Sequence, residues 1–187
     1  MKYLLSLLFA LSLLCSAQAQ DVTISGQILN IHGAPRPDVS IALTEQSTGQ
    51  FIQSMVTSND GRFEFQAVPA GNSYILTADG GISLPYSMSM FQVVKVARHI
   101  LGIETLDSPL LVWMADYNNS GTVTTLDVVA MRRAILSIDA PFPTGDGWVL
   151  VPTDYDPAAG EPAAVSVTPG TDVELSYYLL RKGVVAY

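Results

Sequence analysis

The organisation of this chain is clearest in the stretch Asp116-Tyr-Asn-Asn-Ser-Gly-Thr-Val-Thr-Thr-Leu-Asp127, in which oxygen-bearing side chains surround one glycine. Immediately after this stretch, apolar residues recur at i, i+3, i+7 and i+10, which is the spacing of one helix face. These residues are Val128, Met131, Ile135 and Ile138. The stretch therefore predicts a polar loop that leads directly into an amphipathic helix.

The loop has the ligand pattern of an EF-hand-type calcium site. Such a loop places oxygen side chains at positions 1, 3, 5 and 12, a carbonyl at 7, often a water-mediated ligand at 9, and glycine at 6. Gly121 stands at position 6 and supplies the sharp turn that lets one short loop surround the ion. We predict that Ca²⁺ binds here; a polar loop whose last aspartate only caps the helix is the alternative. The predicted ligands are Asp116, Asn118, Ser120, Thr122, Thr124 and Asp127.

The helix after the loop has a counterpart 35 residues earlier, where Gln92–Ile103 aligns with Asp127–Ile138. Duplication at a fixed offset indicates a repeated structural unit. We therefore expect two helices of similar length that pack on one another. In the first helix the apolar face is predicted to contain Val93, Val96, Ile100 and Ile103.

The first repeat lacks the ligands of the second. Counting back from Gln92 places Gly81, Ser83 and Pro85 at positions 1, 3 and 5, and glutamine replaces the aspartate of position 12. None of these residues supplies a carboxylate, so we predict that the first loop binds no metal.

Residues 21 to about 79 have the period of β-strands. Apolar residues alternate with polar ones, and turn signals such as Asn59-Asp60-Gly61 separate the runs. Short strands at regular spacing predict a small antiparallel sandwich. The alternating apolar residues are Val22, Ile24, Ile28, Val39, Ile41, Leu43, Phe63, Phe65, Tyr74 and Leu76.

Five short motifs in this β region resemble the carboxypeptidase regulatory-like domain. They are Gly26-Gln-Ile28, Gly33-Ala-Pro35, Val39-Ser-Ile41, Thr57–Phe65 and Val68–Tyr74. The resemblance implies a transthyretin-like β-sandwich, which is grouped with carbohydrate-binding-like folds. It says little about function, because the family serves mostly as a spacer or accessory domain.

The helical region, residues 87–138, resembles a dockerin type I domain of the kind found in secreted bacterial surface proteins. The resemblance lies in His99–Ile103, Leu106–Pro109 and Ala115–Asp127. It implies calcium binding and docking to a cohesin-like or other cell-surface protein. Dockerins use two metal sites to support a two-faced cohesin-binding surface, and the first repeat of this chain departs from that pattern.

The first residues indicate export. Met1 and Lys2 provide the positive start, Leu4–Leu14 is mostly apolar, and Ala17-Gln18-Ala19 has the pattern of a signal-peptidase site. We predict a signal peptide over residues 1–19, although a membrane anchor and a lipid anchor on Cys15 are alternatives. Cys15 is the only cysteine and would leave with the signal peptide, so the secreted chain has no disulfide to stabilise it.

The charge balance excludes some partners. The formal net charge of −8 repels phosphate backbones and attracts cations, so we do not expect nucleic acid as a partner. No second apolar stretch approaches the roughly 20 residues that span a bilayer, so we expect no membrane span.

Residues 141–187 contain weaker signals. Trp148–Val151 and Val165–Val167 predict short strands, while Asp172–Val185 fits a strand or a helix. The carboxylates of Asp154, Asp156 and Glu161 lie in a Pro/Ala-rich stretch that we interpret as a solvated loop rather than as a hydrolytic pair. Binding of a second cation by Asp154 and Asp156 is an alternative. His99 is interpreted as a packing or surface residue, and we expect no enzyme.

We therefore predict a multidomain β plus α protein. Residues 20–80 form a small antiparallel sandwich, residues 81–140 a dockerin-like helix pair with one calcium loop, and residues 141–187 a β-containing extension packed on both. The expected function is that of a secreted, non-catalytic calcium-binding module for protein–protein interaction or extracellular assembly. The alternative is an accessory component of polysaccharide degradation that binds a glycan, which rests on fold analogy alone.

Overall fold

The computed structural model describes residues 20–80, 88–139, 147–156, 162 and 164–185. Within these ranges the chain forms two four-stranded β-sheets and three α-helices. Several predictions lie outside the described residues: the signal peptide with Cys15, the first-loop positions Gly81, Ser83 and Pro85, and Glu161.

The two sheets stack as a sandwich. The first sheet has the order β4-β1-β8-β6 and the second has the order β3-β2-β5-β7. The strands are β1 (Asp21–Leu29), β2 (Ser40–Glu45), β3 (Phe51–Val56), β4 (Arg62–Pro69), β5 (Tyr74–Asp79), β6 (Trp148–Pro152), β7 (Val165–Val167) and β8 (Val173–Arg181). The helices are α1 (Met90–Ile100), α2 (Pro109–Ala115) and α3 (Thr125–Ile135).

The strands predicted for residues 21–79 are confirmed, because their alternating apolar side chains form one core between the sheets. Ile24, Ile41 and Phe65 are all at most 1% exposed. The predicted turn at Asp60-Gly61 precedes β4, and Gly61 adopts a φ of +73° that favours glycine. The sequence did not predict β3, an edge strand whose end residues Phe51 and Val56 are exposed.

The prediction of a purely antiparallel sandwich within residues 20–80 needs a correction. Strand β8 pairs with β1 in parallel, from Ile24 beside Val173 to Leu29 beside Tyr178. Strands β6, β7 and β8 complete both sheets, so the sandwich takes strands from both parts of the chain. A parallel pair requires a long crossover connection, and the helical region between β1 and β8 contributes to it.

The second half of strand β8 is covered on both faces, which explains why the sequence did not reveal its conformation. Tyr177 and Leu179 lie in the core between the sheets, whereas Tyr178 and Leu180 pack against the helices. A strand that is buried on both faces has a continuous apolar run instead of alternation. The run is therefore compatible with a helix until the partners of its two faces are known.

The helices form a third layer on the outer face of the first sheet. Val93, Val96 and Met131 share a second apolar core with Val151 of β6 and Leu180 of β8, and α1 contacts α3 as the duplication predicts. The predicted helix faces are wrong at their last positions, because Ile103 and Ile138 lie beyond the helix ends and are exposed.

Helix α2 is short and was not predicted from periodicity. It begins after Ser108, whose side chain accepts a hydrogen bond from the Leu110 N–H, and Pro109 occupies its first turn. Its last residue, Ala115, leads directly into the predicted calcium loop.

Candidate metal centre

The predicted calcium loop connects the end of α2 to the beginning of α3, so each of its two carboxylates belongs to a helix end. Asp116 is the C-cap residue of α2, and its N–H donates to the carbonyl of Val112. Asp127 lies in the first turn of α3. The loop between them is therefore held at both ends by regular structure.

Asp127 is fully buried and accepts hydrogen bonds from its own loop. Its Oδ1 accepts from the Asn118 N–H at 3.1 Å, and its Oδ2 accepts from the Thr124 N–H at 2.7 Å. Together with Thr124, whose side chain bonds the first turn of α3, it completes a capping box. The N-cap that the sequence allowed at Asp127 is instead Thr124, and Asp127 lies three residues later as the partner residue of the capping box. This arrangement leaves the metal prediction untested.

Asp116 is 5% exposed and organises the first half of the loop. Its Oδ1 accepts from the Ser120 N–H at 2.9 Å and its Oδ2 accepts from the Gly121 N–H at 2.7 Å. Asn118 Oδ1 also accepts from the Ser120 N–H, at 3.0 Å. Gly121 has a φ of +84°, the left-handed conformation that allows the chain to turn back around the carboxylate.

The remaining predicted ligands lie on the exposed side of the loop. Ser120 Oγ donates to the carbonyl oxygen of Thr122 at 3.0 Å, so position 5 and position 7 face the same region. Asn118, Ser120 and Thr122 are exposed, and Thr124 is half-buried. The loop therefore combines two buried carboxylates with neutral oxygens that are open to solvent.

The donor set fits calcium. Every predicted ligand atom is an oxygen, which suits a hard cation and excludes the nitrogen and sulfur preference of zinc. Among the described residues neither Asp116 nor Asp127 forms an ion pair, and a buried carboxylate is costly unless a cation or hydrogen bonds compensate it. The backbone N–H groups supply part of that compensation, and a bound cation would supply more.

The described residues contain no group of three or more His, Cys, Asp or Glu side chains that could hold a metal ion. A calcium site in this loop would therefore depend on neutral oxygens as well as on its two carboxylates. Few ligand charges correspond to the weaker, extracellular range of calcium affinities.

Sequence reasoning missed Lys182, which contacts the first residue of the loop. Its buried ammonium donates to the carbonyl oxygens of Trp113 at 2.7 Å and Asp116 at 3.0 Å. It also lies 3.8 Å from the centroid of the Trp113 ring, within the range of a cation–π interaction. No local pattern could indicate this contact, because Lys182 and Asp116 are 66 residues apart in the chain.

Gln92, the first-repeat equivalent of Asp127, is also buried but binds a different group. Its Oε1 accepts a hydrogen bond from the Val185 N–H at 2.9 Å. The absence of metal from the first loop stays a prediction, since its other positions lie outside the described residues.

The other polar residues singled out in the sequence occupy separate places. His99 Nδ1 accepts from the Leu106 N–H at 3.3 Å, which ties the end of α1 to the following loop. Asp154 and Asp156 are exposed. Arg133 forms a bidentate salt bridge with Asp139. The structure brings none of these residues into the calcium loop.

The two helices expose apolar residues at equivalent positions. Four pairs that are 35 residues apart have side chains between 49% and 71% exposed. We call these residues the duplicated apolar face: Phe91 and Leu126, Val94 and Val129, Leu101 and Leu136, Ile103 and Ile138. Exposed apolar residues that recur at equivalent positions of two packed helices are a candidate interaction surface.

A cleft of about 470 Å³ lies beside the second sheet and is lined by residues of β2, β5 and β6. It includes Trp148, but the guanidinium groups of Arg36 and Arg181 lie 4.8 and 5.2 Å from the centroid of that ring. The tryptophan is therefore already in contact with two cations of its own chain.

The family comparison concerns the first part of the chain. Residues 23–93 match the family described as the carboxypeptidase regulatory-like domain. The predicted resemblance of the β region is thereby supported, and the match continues past Gly80 into α1. A comparison with curated proteins found no match.

Several solved structures are similar to part of this chain. The 5-hydroxyisourate hydrolase of Klebsiella pneumoniae is 35% identical over 32% of this chain and 58% of its own, with a TM-score of 0.28. The dioxygenase domain of a Streptomyces sp. SirexAA-E fusion protein is 16% identical over 35% and 51%, with a TM-score of 0.28. The major pilin subunit of Bacillus cereus is 12% identical over 30% and 18%, with a TM-score of 0.26. This chain spans less than two thirds of each of these structures.

No helix among the described residues has the length and hydropathy to cross a bilayer.

Proposed function

We propose that this protein is a secreted, non-catalytic calcium-binding protein whose helical part is a dockerin-like module for docking to another protein. One observation carries the proposal: two buried carboxylates, Asp116 and Asp127, close an all-oxygen loop between two helices. The loop follows the EF-hand ligand order and turns at a glycine with positive φ.

Calcium has a structural role in this proposal. A bound ion supplies positive charge between the end of α2 and the beginning of α3, both of which pack into the second core. Asp116, Asn118, Ser120 and Asp127 hold it with side-chain oxygens, and Thr122 holds it with its carbonyl. Binding and folding of the helical part are then linked, because the unfolded chain has no preformed site.

The duplicated apolar face is the proposed docking surface. Its eight side chains lie on and just beyond α1 and α3, where burial by a partner would remove apolar area from water. The resemblance of residues 87–138 to dockerins suggests a cohesin-like or other cell-surface protein as that partner.

Calorimetric titration of calcium into the purified protein tests the proposal. We expect saturable binding of one ion with a dissociation constant on the order of 0.1–1 mM, and an increase in melting temperature. The Asp116→Ala variant should lose both responses, whereas Asp107→Asn, which alters an exposed carboxylate outside the loop, should keep them. Wild-type protein that shows no response at millimolar calcium contradicts the proposal.

An accessory glycan-binding function is the alternative, and the cleft beside Trp148 is the observation that favours it. The contacts of Trp148 with Arg36 and Arg181 weaken this alternative, because a sugar that stacks on the ring must compete with them. A glycan array probed with the full chain separates the two functions, since only the alternative predicts hits that are independent of calcium.

A further inference from the structure

Residues 182–185, which follow β8, form a buried segment that contacts both repeats of the helical part. Lys182 is 8% exposed, Val184 is 0% exposed and Val185 is 4% exposed. A short irregular segment with a lysine is an unusual candidate for burial, since lysine is almost never buried unless its ammonium has partners. Burial of this 182–185 segment therefore depends on the partners of its polar groups.

The segment first contacts the end of α2, immediately before the calcium loop. The Gly183 N–H donates to the carbonyl of Met114 at 3.0 Å, and Lys182 Nζ donates to the carbonyls of Trp113 and Asp116. The last carbonyls of a helix have no intrahelical partner, so these bonds complete the end of α2. They also hold the backbone of Asp116, the first predicted ligand.

The segment then contacts the first repeat. The Val185 N–H donates to Gln92 Oε1 at 2.9 Å inside the second core. Gln92 occupies the position that Asp127 holds in the second repeat. A neutral amide oxygen at this position binds an N–H group of the chain itself, so the position needs no cation.

We propose that the 182–185 segment couples the calcium loop to the β-sandwich. Strand β8 lies between β1 and β6 in the first sheet and leads directly into the segment. The segment anchors α1 through Gln92, and it anchors α2 through Lys182 and Gly183. Order in β8 then favours the binding geometry of Asp116, and calcium at the loop protects β8 in return, because linkage is reciprocal. The calcium part rests on the proposed function, while the anchoring of the helices does not.

Two variants without a change of charge test the coupling. Gln92→Leu removes the acceptor of the Val185 N–H, and Gln53→Leu is its control, because Gln53 donates one bond to the Gln66 carbonyl within the sandwich. Gly183→Ala adds a methyl group 2.8 Å from Met88 Sδ and 3.1 Å from the Tyr117 ring at a φ of +77°. Its control is Gly49→Ala, at a φ of +69° with no atom within 4 Å.

Hydrogen exchange in the absence of calcium is the first measurement. We expect both test variants to exchange the amides of α3 and of the loop about tenfold faster than wild type, while β2 and β5 keep their protection. The controls should leave α3 unchanged. If α3 exchanges at the wild-type rate in both test variants, the proposal is overturned, whatever the calcium result.

Calcium titration of the same four variants is the second measurement. We expect Gln92→Leu, which does not touch the loop, to weaken calcium binding about fivefold, and the controls to change it less than twofold. Faster exchange of α3 with an unchanged dissociation constant overturns the coupling. If wild type binds no calcium, the proposed function fails, and the exchange measurement still decides whether the segment anchors the helices.

Discussion

The two repeats of the helical part place a buried polar residue at the same position and satisfy it in different ways. Asp127 is 0% exposed and accepts backbone N–H groups from its own loop, at Asn118 and Thr124. Gln92 is 3% exposed and accepts the N–H of Val185, which follows a strand of the sandwich. The buried acceptor of the second repeat is thus satisfied locally, whereas that of the first binds a distant part of the chain.

The helix caps show the same difference. Thr124 and Asp127 form a complete capping box at the start of α3, whereas Ser89, the equivalent of Thr124, makes no side-chain cap bond at the start of α1. A duplicated sequence can therefore keep its helices and its apolar face while the loops acquire different partners. The polar residue at each helix start is where the repeats diverge.

The largest expected effect is that of Asp127→Ala. The change leaves two partly buried N–H groups without their acceptor and breaks the capping box of α3, so we expect a loss of about 3 kcal/mol in the free energy of unfolding without calcium. Chemical denaturation in the presence of a chelator measures it. Asp107→Ala, at an exposed carboxylate, is the control; a loss below about 1 kcal/mol for Asp127→Ala would contradict the assigned bonds.

Gln92→Asp makes the two positions identical and should not make the repeats equivalent. The shorter side chain withdraws from the Val185 N–H and brings a buried charge, so we expect a loss of about 2 kcal/mol. Calcium stoichiometry should remain at the wild-type value, because Gly81, Ser83 and Pro85 offer no carboxylate. A second bound ion, detected by calorimetry, would refute the divergence of the two loops.

The caps give a smaller and matched comparison. Thr124→Ala should cost about 1 kcal/mol because it removes the acceptor of the Leu126 N–H. Ser89→Ala should cost less than about 0.5 kcal/mol, since Ser89 makes no such bond. Equal losses of the free energy of unfolding, measured by urea denaturation, would contradict the difference between the two helix caps.

The smallest effect concerns an ion pair that both repeats share. Lys95 and Arg98 pair with Glu104, and Arg133 pairs with Asp139. These contacts hold the pKa of both carboxyl groups below its usual range. A lowered folded-state pKa stabilises the protein above the ordinary value and loses that effect as the pH falls through the folded value.

The double variant Glu104→Gln/Asp139→Asn lacks both carboxyl groups. We therefore expect the melting temperature of wild type to fall further than that of the double variant when the pH is lowered from 5 to about 3. The difference should be small, because exposed ion pairs contribute little and salt screens them. Carboxyl titration followed by NMR locates both groups, and a pKa at or above the ordinary value in either would contradict the pairing.

Much of the local structure was predictable because it depends on short-range patterns. Alternation identified β1, β2, β4 and β5, and the helical spacing identified α1 and α3. The ligand order of the loop and the turn at Gly121 follow from neighbouring residues alone. These features were readable because neighbours in the chain determine their hydrogen bonds.

What the sequence alone determined is therefore the type of most elements, the duplication and the candidate ligands. Only the tertiary structure decided the parallel place of β8 beside β1, the burial of Lys182 against Trp113 and Asp116, and the pairing of Gln92 with Val185. These contacts join residues that are between 66 and 149 positions apart in the chain. The physical reason is that burial on two faces removes the alternation from the second half of β8. A polar side chain, in turn, reveals its partner only when the folded core has brought that partner close.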